Sequence, residues 1–171
     1  NLSLIEISHR SKEFIAVMDK AQALVKDLLD VPEGYSVLFL QGGASTQFLM
    51  TAMNLLKISG KADYINTGTW SKKAIKEAKK FGEINIIASS EDKKFSYIPK
   101  DYSYSTDADY LHFTSNNTIF GTQFHEFPKV SKDTMLVCDM SSDIFSRKID
   151  VSKFDLIYAG AQKNMGPAGT T

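Results

Sequence analysis

Lys163 stands in Gly160-Ala161-Gln162-Lys163-Asn164, directly after the apolar run Asp155–Ala159 (DLIYA), a lone lysine among small and apolar neighbours. An amine held in a partly desolvated pocket has a lowered pKa and attacks a carbonyl carbon to form an imine. Taken singly, a lysine is most often a solvated side chain. Asp139 directly follows Met135–Cys138 (MLVC), which ends a buried strand on a carboxyl group that must meet a cation or a donor. A helix cap or a structural acceptor satisfies the same acid. Gly42-Gly43-Ala44-Ser45-Thr46 opens a helical pattern, and free N–H groups plus the helix dipole make such an opening an anion cradle. A tight turn capped by serine uses the same residues. No Gly-Lys-Ser/Thr follows, so this is not a nucleotide-triphosphate loop, nor has it the spacing of a dinucleotide fingerprint. Trp70, the only tryptophan, sits at a strand-to-helix turn, either as core packing or as a plate for a flat ring. His9 and Arg10 form an adjacent pair suited to phosphate or carboxylate, Arg147 being the only other arginine. His112 alternates within YLHFT as a structural residue, Cys138 fits a small buried strand residue, and His125 has no assigned role.

These residues need elements to bring them together. The spacing of Phe14, Val17, Met18, Ala21, Leu24, Val25 and Leu28 predicts a helix with one buried face over Ser11–Asp30, stopped by Pro32 and Gly34. Ser36–Leu40 (SVLFL) reads as a strand, followed by a helix through Phe48, Leu49, Ala52, Met53 and Leu56. Asp63–Asn66 reads as a strand. Trp70–Phe81 reads as a helix with Ala74, Ala78 and Phe81 inward and lysines outward, and Glu83–Ala88 as another strand. Ser89–Asp107 is a surface excursion. Tyr110–Thr114, Met135–Cys138 and Asp155–Ala159 complete the strands. The alternation predicts an α/β fold in three layers, a mostly parallel sheet flanked by helices. In such sheets ligands lie beyond the carboxyl ends of the strands. The rim therefore comprises Gly42–Thr46, Gly68–Trp70, Asn116–Thr118, Asp139–Ser141 and Gly160–Lys163.

The chain has 171 residues with 43% hydrophobic and 23% charged content, enough for a globular core. Twenty basic and twenty acidic residues balance to zero, which removes the bulk electrostatic case for nucleic acid or an anionic membrane. No apolar run has the length of a membrane span. The single cysteine leaves neither an internal disulfide nor a cysteine-ligated zinc site, and fits a reducing cytoplasm. No metal site is expected. The chain opens on Asn1 and closes on Gly166-Pro167-Ala168-Gly169-Thr170-Thr171, a run that completes no element, so it reads as a segment of something longer.

A strand-end acid, a strand-end lysine, an indole at a turn and a glycine-rich helix start are together the parts that hold pyridoxal phosphate. Ser8-His9-Arg10-Ser11-Lys12-Glu13-Phe14, Gly42–Ser45, Asp63–Trp70, Asn117-Thr118-Ile119, Asp139-Met140-Ser141-Ser142 and Tyr158–Asn164 resemble, in order along the whole chain, the phosphoserine aminotransferases, a family of fold-type I pyridoxal-phosphate enzymes. The resemblance implies a partial large domain over residues 1–171, with the remainder of that domain and a small C-terminal domain absent. It implies pyridoxal 5'-phosphate in imine linkage to Lys163, Asp139 on the ring nitrogen, Trp70 on the ring and Thr118 on the phenolic oxygen. Gly43, Ala44 and Gln162 would hold the cofactor phosphate, with Ser141 near it. His9 and Arg10 would bind the substrate phosphate across a homodimer. Some members carry arginine where this chain has Ala44. The implied reaction moves an amino group from glutamate to 3-phosphohydroxypyruvate, giving phosphoserine and 2-oxoglutarate in cytoplasmic serine biosynthesis, with a related step in pyridoxine synthesis as a further family role. The competing readings are a non-catalytic segment or interaction domain on the same scaffold, and another fold-type I aminotransferase or desulfurase.

Overall fold

The structure, a computed structural model, describes residues 3–56 and 60–171. They form two compact units, one of described residues up to Phe39 with Lys148–Ser152, the other of Leu40–Arg147 with Lys153–Thr171.

In the first unit a 3-10 turn, Leu4–Glu6, precedes helix α1, Lys12–Leu29. Ser11 caps α1 by accepting from the Phe14 N–H at 3.2 Å, and Asp30 closes it in the left-handed region at φ 48°. The periodic face predicted to be buried is largely open within this unit. Leu24 and Leu28 are 48% and 67% exposed, Phe14, Met18, Ala21 and Val25 are half-buried, and only Leu29 is buried. Ser36–Leu40 is not a strand. Its last residue alone pairs, Leu40 exchanging both backbone bonds with Thr171 at 2.8 Å. An apolar run without a second backbone partner over its length has the composition of a strand but no ladder to join. The closing Gly/Pro/Ala/Thr run, predicted to complete no element, thus supplies a partner segment, extended by Gln41–Thr170 bridging and by the Gly42 N–H on the Gly169 carbonyl at 3.0 Å.

The second unit is built on a five-stranded parallel sheet in the order β2-β1-β3-β6-β7. Its strands are β1 Lys61–Asn66, β2 Glu83–Ser89, β3 Tyr110–Thr114, β6 Met135–Asp139 and β7 Leu156–Tyr158. A short antiparallel hairpin, β4 Asn116–Asn117 with β5 Thr122–Gln123, follows β3 directly; no alternation announces strands of two residues. Helices α2, Gly43–Leu55, and α3, Thr69–Ala78, lie on one face. Phe48 and Ala52 of α2 and Ala74, Ile75 and Ala78 of α3 pack there against Tyr64, Tyr110, Val137 and Tyr158. Phe81, predicted inward, lies past the end of α3 and is 43% exposed, while Ile75 takes the inward position. Phe113, one residue out of phase with His112 and so on the opposite face, packs with Phe124, Phe127 and Phe154 at ring separations of 5.1–6.4 Å. Thr114, Asp139 and Tyr158 are in register across β3, β6 and β7, which aligns three carboxyl ends at one rim. No described helix is long and apolar enough to cross a membrane.

Candidate functional site

At that rim a cavity of about 240 Å³ is lined by the start of α2, Trp70, Thr114, Asp139, Ser141, Gln162 and Lys163, among others. It therefore joins residues from five separated segments of the second unit. Two conformational demands shape its α2 side. Gly42 caps the helix at φ 100°, and a Cβ there would meet Thr46 Oγ1 at 2.5 Å. Gly160 is buried, and a Cβ there would approach Gln162 Oε1 to 2.9 Å and Ala44 Cβ to 3.3 Å. With both positions bare, the first N–H groups of α2 and the Gln162 side chain can border one small space, suited to an anion.

Asp139 ends β6 and is 3% exposed. Burial drives its carboxyl pKa up; the hydrogen bonds from Ser141 and the charge of Lys163 oppose the rise. Both Ser141 donors, N–H at 2.9 Å and Oγ at 2.6 Å, reach Oδ1, leaving Oδ2 without a hydrogen-bond donor among the described residues. Ser141 Oγ in turn accepts from the Gly160 N–H at 3.0 Å, which ties the β6 end to the turn that carries Lys163. Thr114 Oγ1, in register with Asp139 and lining the same cavity, is buried with no partner. A carboxylate oxygen without a donor and a buried hydroxyl without a partner, on two residues that line one cavity, are costly unless a ligand meets them.

Lys163 is exposed, which corrects the expectation of a partly desolvated amine. Residues 162–164 are exposed at the rim although Ala159, Gly160 and Ala161 before them are buried, so the apolar neighbours do not enclose the side chain. Its Nζ donates to Thr118 Oγ1 at 3.3 Å and lies 5.9 Å from the Trp70 ring centre. Thr118 reaches the site from the β4–β5 hairpin. Half-buried Trp70 enters from the first turn of α3. The opening of that helix is fixed by Ser71, whose Oγ accepts from the N–H groups of Thr67 and Gly68, each at 2.9 Å.

The structure thus brings Gly43, Ala44, Trp70, Asp139, Ser141, Gln162 and Lys163 to one cavity and Thr118 to the Lys163 amine. Ser141, expected near a phosphate, is placed on the Asp139 carboxylate. His9 and Arg10 lie exposed in the first unit, in the turn before α1. Arg147 is committed elsewhere, donating to the Phe124 carbonyl and lying over the Phe127 ring. Cys138 is fully buried, and burial raises its thiol pKa well above the usual value. His112 is 1% exposed and shares a 2.8 Å hydrogen bond between Nε2 and the Tyr158 hydroxyl. Among the described residues no three His, Cys, Asp or Glu side chains converge as a metal site would require. Asn116, within the rim expected from the sequence, lines the cavity; Thr114 was not singled out, although the strand-end rule applied to β3 points to it.

A parallel sheet with an acid at one strand end, a lysine beyond the next and a glycine-rich helix start beside them defines an α/β fold with its candidate site at the carboxyl rim. The chain belongs to the class-V aminotransferase family, whose model matches residues 3–171. It is 64% identical over 170 residues to the phosphoserine aminotransferase of Parabacteroides distasonis, covering 99% of this chain and 47% of that protein. The solved phosphoserine aminotransferase of Bacillus circulans subsp. alkalophilus superposes with a TM-score of 0.95 at 50% identity, over 99% of this chain and 47% of that one. A PLP-bound phosphoserine aminotransferase from Trichomonas vaginalis gives 0.90 at 37% identity, over 99% and 48%. The chain spans about half the length of the relatives it matches.

Proposed function

We propose that the protein containing this chain transfers an amino group between glutamate and 3-phosphohydroxypyruvate, yielding 2-oxoglutarate and phosphoserine, with pyridoxal 5'-phosphate as cofactor. The observation that carries the reading is the convergence of buried Asp139 and the Lys163 amine on one cavity whose α2 edge is an anion cradle. The relatives named phosphoserine aminotransferase, at the identities given, supply the substrates. The donor set fits the cofactor, since the free Asp139 Oδ2 suits a ring N–H, the bare Gly42–Gly43 turn suits a phosphate, and Trp70 offers a flat apolar face.

The cofactor, when bound, supplies the electron sink that lets a substrate C–H bond ionise. Lys163 Nζ would hold the cofactor through its carbonyl carbon, and the same amine would take the proton from the substrate Cα and deliver it to that cofactor carbon. Asp139 Oδ2 keeps the ring nitrogen protonated, and Ser141 holds Oδ1 still. Thr118 Oγ1 orients the phenolic oxygen, Trp70 covers one ring face, and Gly43, Ala44 and Gln162 bind the phosphate. His9 and Arg10 bind the substrate phosphate from the second subunit of a homodimer, and residues 1–171 form part of a large cofactor-binding domain.

Borohydride reduction of the full-length protein loaded with cofactor, followed by peptide mapping, tests the assignment. Label on Lys163 is expected. Label on Lys72 or another lysine with Lys163 unmodified would overturn it, and absence of any visible cofactor band would favour a non-catalytic scaffold.

A further inference from the structure

Two side chains that approach the Lys163 amine, Trp70 at 5.9 Å and Thr118 at 3.3 Å, come from turns that the sheet ladder does not join. The β1–β3 ladder runs only from Ala62–Tyr110 to Tyr64–His112. Both turns lie beyond it, so their spacing must be fixed by side chains.

The fixing groups are buried. Thr67, fully enclosed, donates its hydroxyl to Asn117 Oδ1 at 3.1 Å across the gap. Asn117, 2% exposed, uses its amide N–H groups on the Thr122 hydroxyl at 3.2 Å and the Thr122 carbonyl at 3.4 Å. Its own carbonyl accepts from the N–H groups of Phe120 and Gly121 at 3.1 and 2.8 Å, closing the turn that carries Thr118. On the other wall, a Cβ at Gly68 would lie 3.0 Å from the Phe120 ring and 3.2 Å from Asn117 Oδ1. The two turns are therefore in contact at a glycine. Phe120 is braced behind by Phe95 at a ring separation of 4.9 Å. Ser71 carries the constraint from Thr67 and Gly68 into the first turn of α3, where Trp70 lies.

We propose that Asn117, acting through Thr67, is a positioning residue that sets the separation of Trp70 from Thr118 and hence where a ring-face contact and a ring-edge donor stand about the Lys163 amine. Asn117 touches neither the ring nor the reacting atoms. A single side chain orders the hairpin turn and ties it to the α3 turn, so losing the tie loosens the Trp70 turn against the Thr118 turn while leaving the sheet intact. The consequence for a cofactor rests on the reading given above; the tie itself does not.

The test uses the full-length protein labelled with 5-fluorotryptophan, with the Trp70 resonance assigned by Trp70→Phe. Thr67→Val removes the hydroxyl at nearly constant volume, Thr67→Ser keeps it, and Thr67→Ala replaces Thr67→Val if that variant does not fold. Without cofactor, Thr67→Val should lose the single sharp Trp70 line while Thr67→Ser retains it. In absorbance titrations with pyridoxal 5'-phosphate, Thr67→Val should bind roughly fivefold more weakly, the effect of one lost hydrogen bond, and Thr67→Ser should match the parent. An unchanged Trp70 line in Thr67→Val overturns the proposal, whatever the affinity does. A changed line in a protein whose parent form binds no cofactor upholds the tie and overturns the cofactor reading instead.

Discussion

Asp139 is held in conflict between its surroundings and its proposed task. Burial raises its pKa, and the Ser141 donors together with the Lys163 charge only partly offset this. The folded state therefore binds the proton more tightly than the unfolded chain. The cost appears as pH rises above the ordinary carboxylate value of about 3.9 and persists at neutrality, where the unfolded chain gains more from ionising. Asp139→Asn removes the charge yet keeps an oxygen for both Ser141 donors. In thermal unfolding at pH 7 without cofactor, the variant should be more stable by about 1 kcal/mol, a shift of roughly 2–4 °C. In single-turnover assays the same variant should lose amino transfer by at least about a hundredfold, because an amide cannot hold a protonated ring nitrogen by charge. A less stable variant would show that the ionised acid is already paid for by groups within the fold. The acid was legible in the sequence because it follows an apolar strand. The exposure of Lys163 was not, since its small neighbours Ala159, Gly160 and Ala161 are themselves buried while the chain emerges at Gln162.

At the scale of elements, β1, β3, β6 and β7 could be read from short apolar runs, and the rim followed from their ends. Ser36–Leu40 has the same composition but no adjacent strand along its length, and composition cannot report a missing partner. The β4–β5 hairpin has strands of two residues, too short for any period to show. His112 on β3 offers a measurable consequence of burial in the sheet. Burial holds its imidazole pKa down to about 3, its ring is stacked on Tyr64 at 4.6 Å, and Nδ1 has no partner. Because the depressed value favours the neutral form, the full stability is present above the unfolded pKa near 6.5 and is lost as pH falls toward about 3. His112→Gln should be less stable than the parent at pH 7. The gap should narrow steadily in chemical denaturation series down to pH 4, because the variant has no proton to take up there. A constant gap over that range would mean that His112 does not carry the acid sensitivity.

For the whole molecule, the deciding quantity is positive charge available to the proposed substrate, which bears both a phosphate and a carboxylate. The chain is neutral overall and has two arginines. Arg147 is bound to the Phe124 carbonyl and set 4.0 Å from Asp143, so it is already spent on the fold. Arg10 remains, exposed in the turn before α1. Lysines are plentiful, but Lys163 is the residue proposed to hold the cofactor and Lys72 already pairs with Glu91. Open apolar side chains such as Leu28, Leu38 and Met53, each at least 65% exposed, add a second deficit, because surfaces of this kind are covered in a working enzyme. The 171 residues alone should therefore bind substrate far more weakly than the full-length protein. Without bidentate carboxylate recognition, several kcal/mol of transition-state binding are missing, roughly a hundredfold or more in rate. The check is a side-by-side assay of glutamate and phosphohydroxypyruvate exchange, with saturating cofactor, for the 171-residue chain and the full-length protein. A rate for the shorter chain at least a hundredfold lower is expected; comparable rates would show that Arg10, His9 and the lysines of this segment are sufficient for the substrate, and that its open surfaces cost the site nothing.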